Sequence, residues 1–273
     1  MEVIAEIGAS HNQDYQTALD LVFAAQESGA DTVKVQMFTA DQMTLNRDWV
    51  IKEGRWAGYN LYSLYKEAQL PLEFVPKLKT LCDKLKMGFM ATVYHPDMVK
   101  TAENMGIKRY KISSFELPWI DLIKSVAKTR KPLVLSVGMA DYKEISLAVK
   151  TVKSFHNNIT LLWCISEYPA VVEKMNLKTI VGLGHAFKCK SGLSDHSDGF
   201  VAPVVAACLG ACMLEKHIKI DGGLDESFAL SPVKFKAMVD IVRSAEKSIG
   251  QITYGGTKKF RRKEVEGKWI RTL

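Results

Sequence analysis

No CxxC pair occurs among the five cysteines, Cys82, Cys164, Cys189, Cys208 and Cys212, and five is an odd number. Neither a disulfide framework nor a zinc ribbon is therefore expected to organise the chain. No run approaches the roughly 20 apolar residues of a membrane span, and MEVIAEIGAS lacks the basic start and long apolar stretch of a secretory signal. The expectation is a cytoplasmic protein with reduced thiols and no membrane partner. Also missing are a glycine-rich phosphate loop, a low-complexity segment and an internal repeat. The formal charge of +7 is not spread over the body, because seven Lys/Arg against two Glu follow Gly256. A near-neutral body does not suit nucleic acid as a partner.

What the chain does have is alternation. Eight β-rich runs stand at 2–8, 31–38, 88–93, 109–113, 132–138, 159–166, 190–194 and 212–218. Helical patterns lie between them, such as YQTALDLVFAAQESG with its terminal glycine and LEFVPKLKTLCDKLKMG opening after Pro71. Eight strands with intervening helices in 273 residues predict an α/β fold of the (β/α)8 TIM-barrel type, with the barrel over 1–250 and a basic tail over 251–273. One connection is unusually long. From Thr39 to Pro71 it is rich in aromatics and reads either as a functional lid or as a short edge helix.

In such barrels chemistry is built at the C-terminal strand ends. Those ends carry Glu6; Lys34 and Gln36; Thr92; Lys111, Ser113 and Glu116; Ser136; Ser166 and Tyr168; Ser194 and His196; and His217. Every strand thus contributes polar groups at one end. Lys34 and Lys111 sit inside apolar runs, where a cation needs an anion. That anion is either a bound phosphate or carboxylate, or one of Glu6 and Glu116 in a salt bridge across the mouth. With the hydroxyls of Thr92, Ser113, Ser136 and Ser194, the lysines form a cradle for a substrate bearing phosphate and carboxylate. His196 and His217 end neighbouring strands, within reach of one divalent first-row ion such as manganese. His11 follows the first strand and faces the same mouth, whereas His95, His156 and His185 read as structural.

The stretches IAEIGASHNQ, ADTVKVQMF, YKISSFELP, LVLSVGMA, CISEYPA, GLSDHSDG and LEKHIKID, in this order, resemble the sialic acid synthases (N-acetylneuraminate synthases) and their relatives that make other nonulosonic acids. The resemblance implies a metal-dependent condensation of phosphoenolpyruvate with an open-chain N-acyl hexosamine such as N-acetylmannosamine. By it, His196 and His217 hold Mn2+, with Mg2+ or Co2+ as substitutes. Lys34, Thr92, Lys111, Ser113, Ser136 and Ser194 bind phosphoenolpyruvate, Gln36, Tyr168 and Asp225 face the sugar, and Glu6, Glu116 and Lys111 serve the catalysis. A homodimer is implied too. The chain departs from the family at Phe115, at Thr92–Tyr94 and in DGGLDES, and it does not extend into the family's antifreeze-like C-terminal domain, whose arginine meets the acyl-amino group. Arg261, Arg262 and Arg271 are the local candidates for that cation. Two other expectations remain open beside this one, a synthase of another 3-deoxy sugar acid using a phosphorylated aldose, and a non-catalytic barrel subunit needing a partner lid.

Overall fold

The computed structural model describes residues 1–220, 222–252 and 254, together with the backbone of a short strand pair in the tail. The strands are β1 (Glu2–Glu6), β2 (Thr32–Met37), β3 (Gly88–Val93), β4 (Tyr110–Ile112), β5 (Leu133–Ser136), β6 (Ile159–Trp163), β7 (Lys190–Asp195) and β8 (Met213–His217). They are parallel and close into a barrel in sequence order. Each lies inside one of the eight β-rich runs, apart from β7, which reaches one residue further to Asp195. The tail pair, β9 (Arg262–Val265) and β10 (Lys268–Arg271), is antiparallel. Arg261 lies outside the described residues, as do the side chains of Arg262 and Arg271.

Crossover helices α1 (Tyr15–Glu27), α4 (Val75–Lys84), α5 (Pro96–Asn104), α6 (Ile120–Ala127), α7 (Tyr142–Lys153), α8 (Thr179–Phe187), α9 (Val201–Cys208) and α10 (Pro232–Ile249) surround the barrel. Helix α1 shows the local logic. Asp14 accepts a hydrogen bond from Thr17 N at its start, and Ala18, Leu21, Val22 and Ala25 recur at helical spacing on the buried face. The long connection holds α2 (Ala40–Met43) and α3 (Leu61–Ala68) with a β-bridge between Val50 and Asn60, so it is both helical and mouth-lining. Among the described residues no helix is long and apolar enough to cross a membrane.

Two apolar regions hold this arrangement. The larger lies between strands and helices, and the smaller is a plug of Ile4, Met90, Val134, Leu162 and Met213 inside the barrel. Side chains two residues apart on a strand share a face. Stepping two residues toward the C-terminal end from each plug residue therefore reaches Glu6, Thr92, Ser136, Cys164 and Glu215. The interior changes from apolar to polar in one layer, which is the floor of the site.

Strand β7 carries Gly192 at the level of the plug. A methyl there would stand 2.2 Å from the carbonyl oxygen of Met213 and 2.9 Å from Leu162 Cδ2. Gly192→Ala is expected to cost about 1–3 kcal/mol by overpacking, seen as a lower urea midpoint at unchanged m-value. An unchanged midpoint would mean that β7 and β8 can separate without penalty.

Candidate active site

The C-terminal strand ends enclose a cavity of about 350 Å3, a size suited to small ligands. Twelve of the sequence-predicted site residues line it: Lys34, Gln36, Thr92, Lys111, Ser113, Glu116, Ser136, Tyr168, Ser194, His196, His217 and Asp225. Its outer wall is apolar, with Met43, Ile51, Trp56, Leu61, Leu64 and Tyr65 from the long connection and Phe115 and Phe228 opposite.

At the floor, two carboxylates from the adjoining strands β8 and β1, Glu215 and Glu6, meet two lysines from β2 and β4, Lys34 and Lys111. Lys34 Nζ pairs with Glu6 Oε2, reaches Glu215 Oε1 at 3.5 Å and donates to Thr92 Oγ1 at 2.9 Å. Lys111 Nζ donates to Glu215 Oε1 at 2.5 Å, and Ser194 Oγ donates to the same oxygen at 3.0 Å. All four ionised groups are buried. Burial alone would raise the Glu215 carboxyl, but Lys111 and Lys34 hold it well below the usual carboxylate range. Burial would likewise discharge Lys34, yet Glu215 and Glu6 together raise it. Lys111 is the under-compensated cation. Desolvation lowers its pKa, and Glu215, shared with Lys34, does not restore it. An anion entering the cavity would.

Glu215 is the residue that the sequence reading passed over. The counter-ion of Lys111 is Glu215, not Glu116, whose carboxylate instead takes the Ser113 hydroxyl. Its signal was present in MLEKH, where Glu215 shares the inward face with Met213 and His217. Glu6 is fully buried, accepts from Gly8 N at 2.6 Å, and lies under Lys34 rather than among the cavity-lining side chains. Two polar atoms around the cavity have no hydrogen-bond partner among the described residues, Ser136 Oγ and Glu215 Oε2. Buried groups of that kind are satisfied by something.

On the other side of the cavity the two imidazole centroids are 5.6 Å apart. His196 Nδ1 is 2.9 Å from the Ile165 carbonyl oxygen, which can only accept, so Nδ1 carries the hydrogen. Burial and the neighbouring His217 push this imidazole down to about 3, so it is neutral at physiological pH and its Nε2 is a lone pair. His217 Nδ1 stands 2.9 Å from Asp225 Oδ2. Burial disfavours the Asp225 carboxylate, but His217 keeps it ionised, and an ionised carboxylate only accepts. His217 therefore donates from Nδ1, and its Nε2 has no hydrogen-bond partner among the described residues. Carboxylate or carbonyl behind each imidazole is the usual support of a metal-ligating pair. Among the described residues no set of three or more His, Cys, Asp or Glu could hold a metal ion. The donor set fits a two-histidine site completed by water and substrate.

Asp225 both lines the cavity and orients His217, and it also accepts from Ala9 N at 3.0 Å. Tyr168 packs on His196 at 4.4 Å and on Phe228 at 4.9 Å, and Phe228 packs on His217 at 4.9 Å. The sequence offered no cue to Phe228. His11 is buried and receives Gln13 N on its Nδ1, outside the cavity lining. His95 caps α5 by accepting from Asp97 N, a structural role.

A protein-family model described as the NeuB family matches residues 21–254. The pseudaminic acid synthase of Helicobacter pylori is 38% identical over 257 residues, covering 92% of this chain and 76% of that protein. An N,N'-diacetyllegionaminic acid synthase of Legionella pneumophila is 35% identical over 259 residues, covering 91% and 73%. Among solved structures, the N-acetylneuraminic acid synthetase of Leptospira borgpetersenii in complex with citrate superimposes with a TM-score of 0.85 at 26% identity, covering 94% of this chain and 87% of that one.

Proposed function

The chain belongs to the NeuB family, and from that premise we propose that it condenses phosphoenolpyruvate with an open-chain N-acylated hexose to give a nonulosonic acid and phosphate. The observation that carries the reading is the under-compensated Lys111 beside Lys34, in one cavity with the Ser136 hydroxyl and two imidazole Nε2 atoms that have no hydrogen-bond partner among the described residues. Lys34 and Lys111, with Thr92, Ser113, Ser136 and Ser194, hold the phosphate and carboxylate of the enol ester. Gln36, Tyr168 and Asp225 face the aldose, with the apolar wall from Met43 to Tyr65 against its less polar end.

His196 and His217 would hold a divalent ion such as Mn2+, which when bound supplies Lewis-acid polarisation of the aldehyde oxygen. The remaining steps belong to the chain's own groups. C3 of phosphoenolpyruvate forms the new C–C bond to the aldehyde carbon as the C=O π pair passes to the aldehyde oxygen, which takes a proton to become the product hydroxyl, and electron loss from the enol double bond leaves C2 cationic. Water adds at C2, Glu116 accepts its proton, and phosphate leaves with cleavage of its C–O bond to C2. Glu6 and Glu215 serve as counter-ions that keep the lysines charged and aimed. The only Lys or Arg side chains among the described cavity-lining residues are Lys34 and Lys111. Among the described lining residues no further cation is placed to meet a second phosphate on the aldose, which favours a non-phosphorylated sugar.

The test is phosphate release from phosphoenolpyruvate with Mn2+ across N-acetylmannosamine, di-acylamino hexoses and phosphorylated aldoses, with a chelator control. Sugar-dependent, chelator-sensitive release from the non-phosphorylated sugars is expected. Release only with phosphorylated aldoses would overturn the substrate class.

Burial raises the Glu116 carboxyl above its ordinary 4.5, and the Ser113 hydrogen bond only partly offsets that. The ionised base is present above the folded pKa and lost as pH falls through it. The acid limb of kcat is therefore expected above the free-carboxylate range, and Glu116→Gln should lower kcat and flatten the limb. A limb of the same shape in that variant would remove Glu116 from the role.

A further inference from the structure

We propose that the buried triangle of Lys216, Asp195 and Ser197 is a positioning device that sets the distance between the two imidazoles, so that these residues govern metal affinity without touching the metal. The proposal rests on the reading of His196 and His217 as metal ligands and adds residues that this reading does not use.

The triangle is defined by four contacts. Lys216 Nζ donates to Asp195 Oδ2 at 2.6 Å and to the Ser197 carbonyl oxygen. Asp195 Oδ1 accepts from Ser197 N at 2.9 Å and from Ser197 Oγ at 2.7 Å. The side chains of Asp195 and Lys216 are both 0% exposed. Alternation along β8 sends Glu215 and His217 into the barrel and Lys216 outward, so the pair is embedded in the otherwise apolar layer between strands and helices.

Such a pair is a poor device for stability. Removing two charges from water costs several kcal/mol per ion, roughly what their attraction returns, and apolar replacements are often neutral or better. Its sequence position suggests what it does instead. Asp195 and Lys216 are direct partners in the parallel β7–β8 register, and each immediately precedes a histidine. His196 is held between Asp195 and Ser197, two corners of the triangle, while His217 follows the third. The backbone on both sides of His196 is thus tied to the strand that carries His217. A further backbone bond, Ala170 N to the His196 carbonyl, steadies the same turn from the β6 side. Shearing β7 against β8 would have to break the ion pair on the outer face together with the Ser194–Glu215 hydrogen bond on the inner face at the preceding register pair.

The experiment compares Mn2+ affinity, by electron paramagnetic resonance of free Mn2+, with phosphoenolpyruvate affinity, by calorimetry, in the full chain and in the double variant Asp195→Asn/Lys216→Met. The double change removes both charges together and leaves an amide oxygen for Ser197, so no lone buried charge remains. Expected is a Mn2+ dissociation constant raised about 10-fold or more, the size seen for outer-shell partners of metal ligands, with phosphoenolpyruvate affinity within about twofold and the thermal midpoint little changed. Wild-type Mn2+ affinity in the folded double variant would overturn the proposal. Equal losses of both ligands would also overturn it, since they would mean general damage to the barrel. Should the double variant not fold, Ser197→Ala decides, because it keeps the ion pair and the two backbone contacts of Ser197 and loses the Oγ–Asp195 bond; weaker Mn2+ binding at unchanged phosphoenolpyruvate binding supports the proposal, and unchanged Mn2+ binding overturns it. A wild-type protein that binds no Mn2+ would instead refute the two-histidine metal site itself.

Discussion

Lys111→Ala is expected to weaken phosphoenolpyruvate binding by at least about 30-fold, since truncating one partner of a buried, hydrogen-bonded charge pair costs about 2 kcal/mol or more, while leaving the sugar's KM little changed. The charge balance at the floor sets this effect. Lys34 has two carboxylates within reach, Glu6 and Glu215, whereas Lys111 has one, and it shares it. An arriving phosphate or carboxylate therefore gains most from Lys111. The same substitution leaves Glu215 with Lys34 at 3.5 Å as its remaining cation, so the variant should also melt earlier. These two effects separate in the double variant Lys111→Ala/Glu215→Gln, which removes the stranded charge. Its thermal midpoint should recover and its phosphoenolpyruvate affinity should not. Recovery of both would mean that Lys111 acts by holding the floor together, and equal losses of sugar and phosphoenolpyruvate binding would put the lysine in the wrong subsite.

His217→Ala is expected to remove metal-dependent turnover, by about three orders of magnitude in kcat, because Lewis-acid stabilisation of developing charge is worth several kcal/mol. The fold should survive, since the imidazole lines the cavity and its one hydrogen bond among the described residues is to Asp225. Asp225 keeps a second partner in Ala9 N. Circular dichroism and the thermal midpoint check the fold, while steady-state phosphate release over a Mn2+ titration checks the activity. Turnover that is undiminished, and equally sensitive to a chelator, would remove His217 from the metal site. Turnover that returns at high Mn2+ would reduce it to one ligand among several.

Legibility differed by level. All eight strands could be read from short apolar runs bounded by turn residues, and β3 agreed to the residue. Helices α6 and α8 were harder to read. The first is eight residues long and has no side-chain cap, and the second contains Gly182 and Gly184 and opens on Lys178, which provides no cap either. Packing on the barrel, not local propensity, holds such helices. At the site, the polar residues at strand ends were visible because a lysine or histidine in an apolar run stands out. Glu215 did not stand out, since EKH reads as an ordinary charged strand end. Alternation puts it on the face of His217, but only the register of β8 against β1 and β7 sets it between two lysines that are 77 residues apart in the chain. Phe228 lies in a loop whose path no periodicity predicts.

Composition and alternation by themselves determined the barrel, the end of it that carries chemistry, and most of the side chains that meet there. Periods of 2 and 3.6 are local properties, and closure in chain order follows from repeating them eight times. Pairing was decided by the tertiary structure alone. Which carboxylate neutralises which lysine, which nitrogen of each imidazole is free, and which buried triangle ties β7 to β8 depend on distances between strands, and charges and hydrogen bonds fall off over a few ångströms while sequence separation says nothing about them.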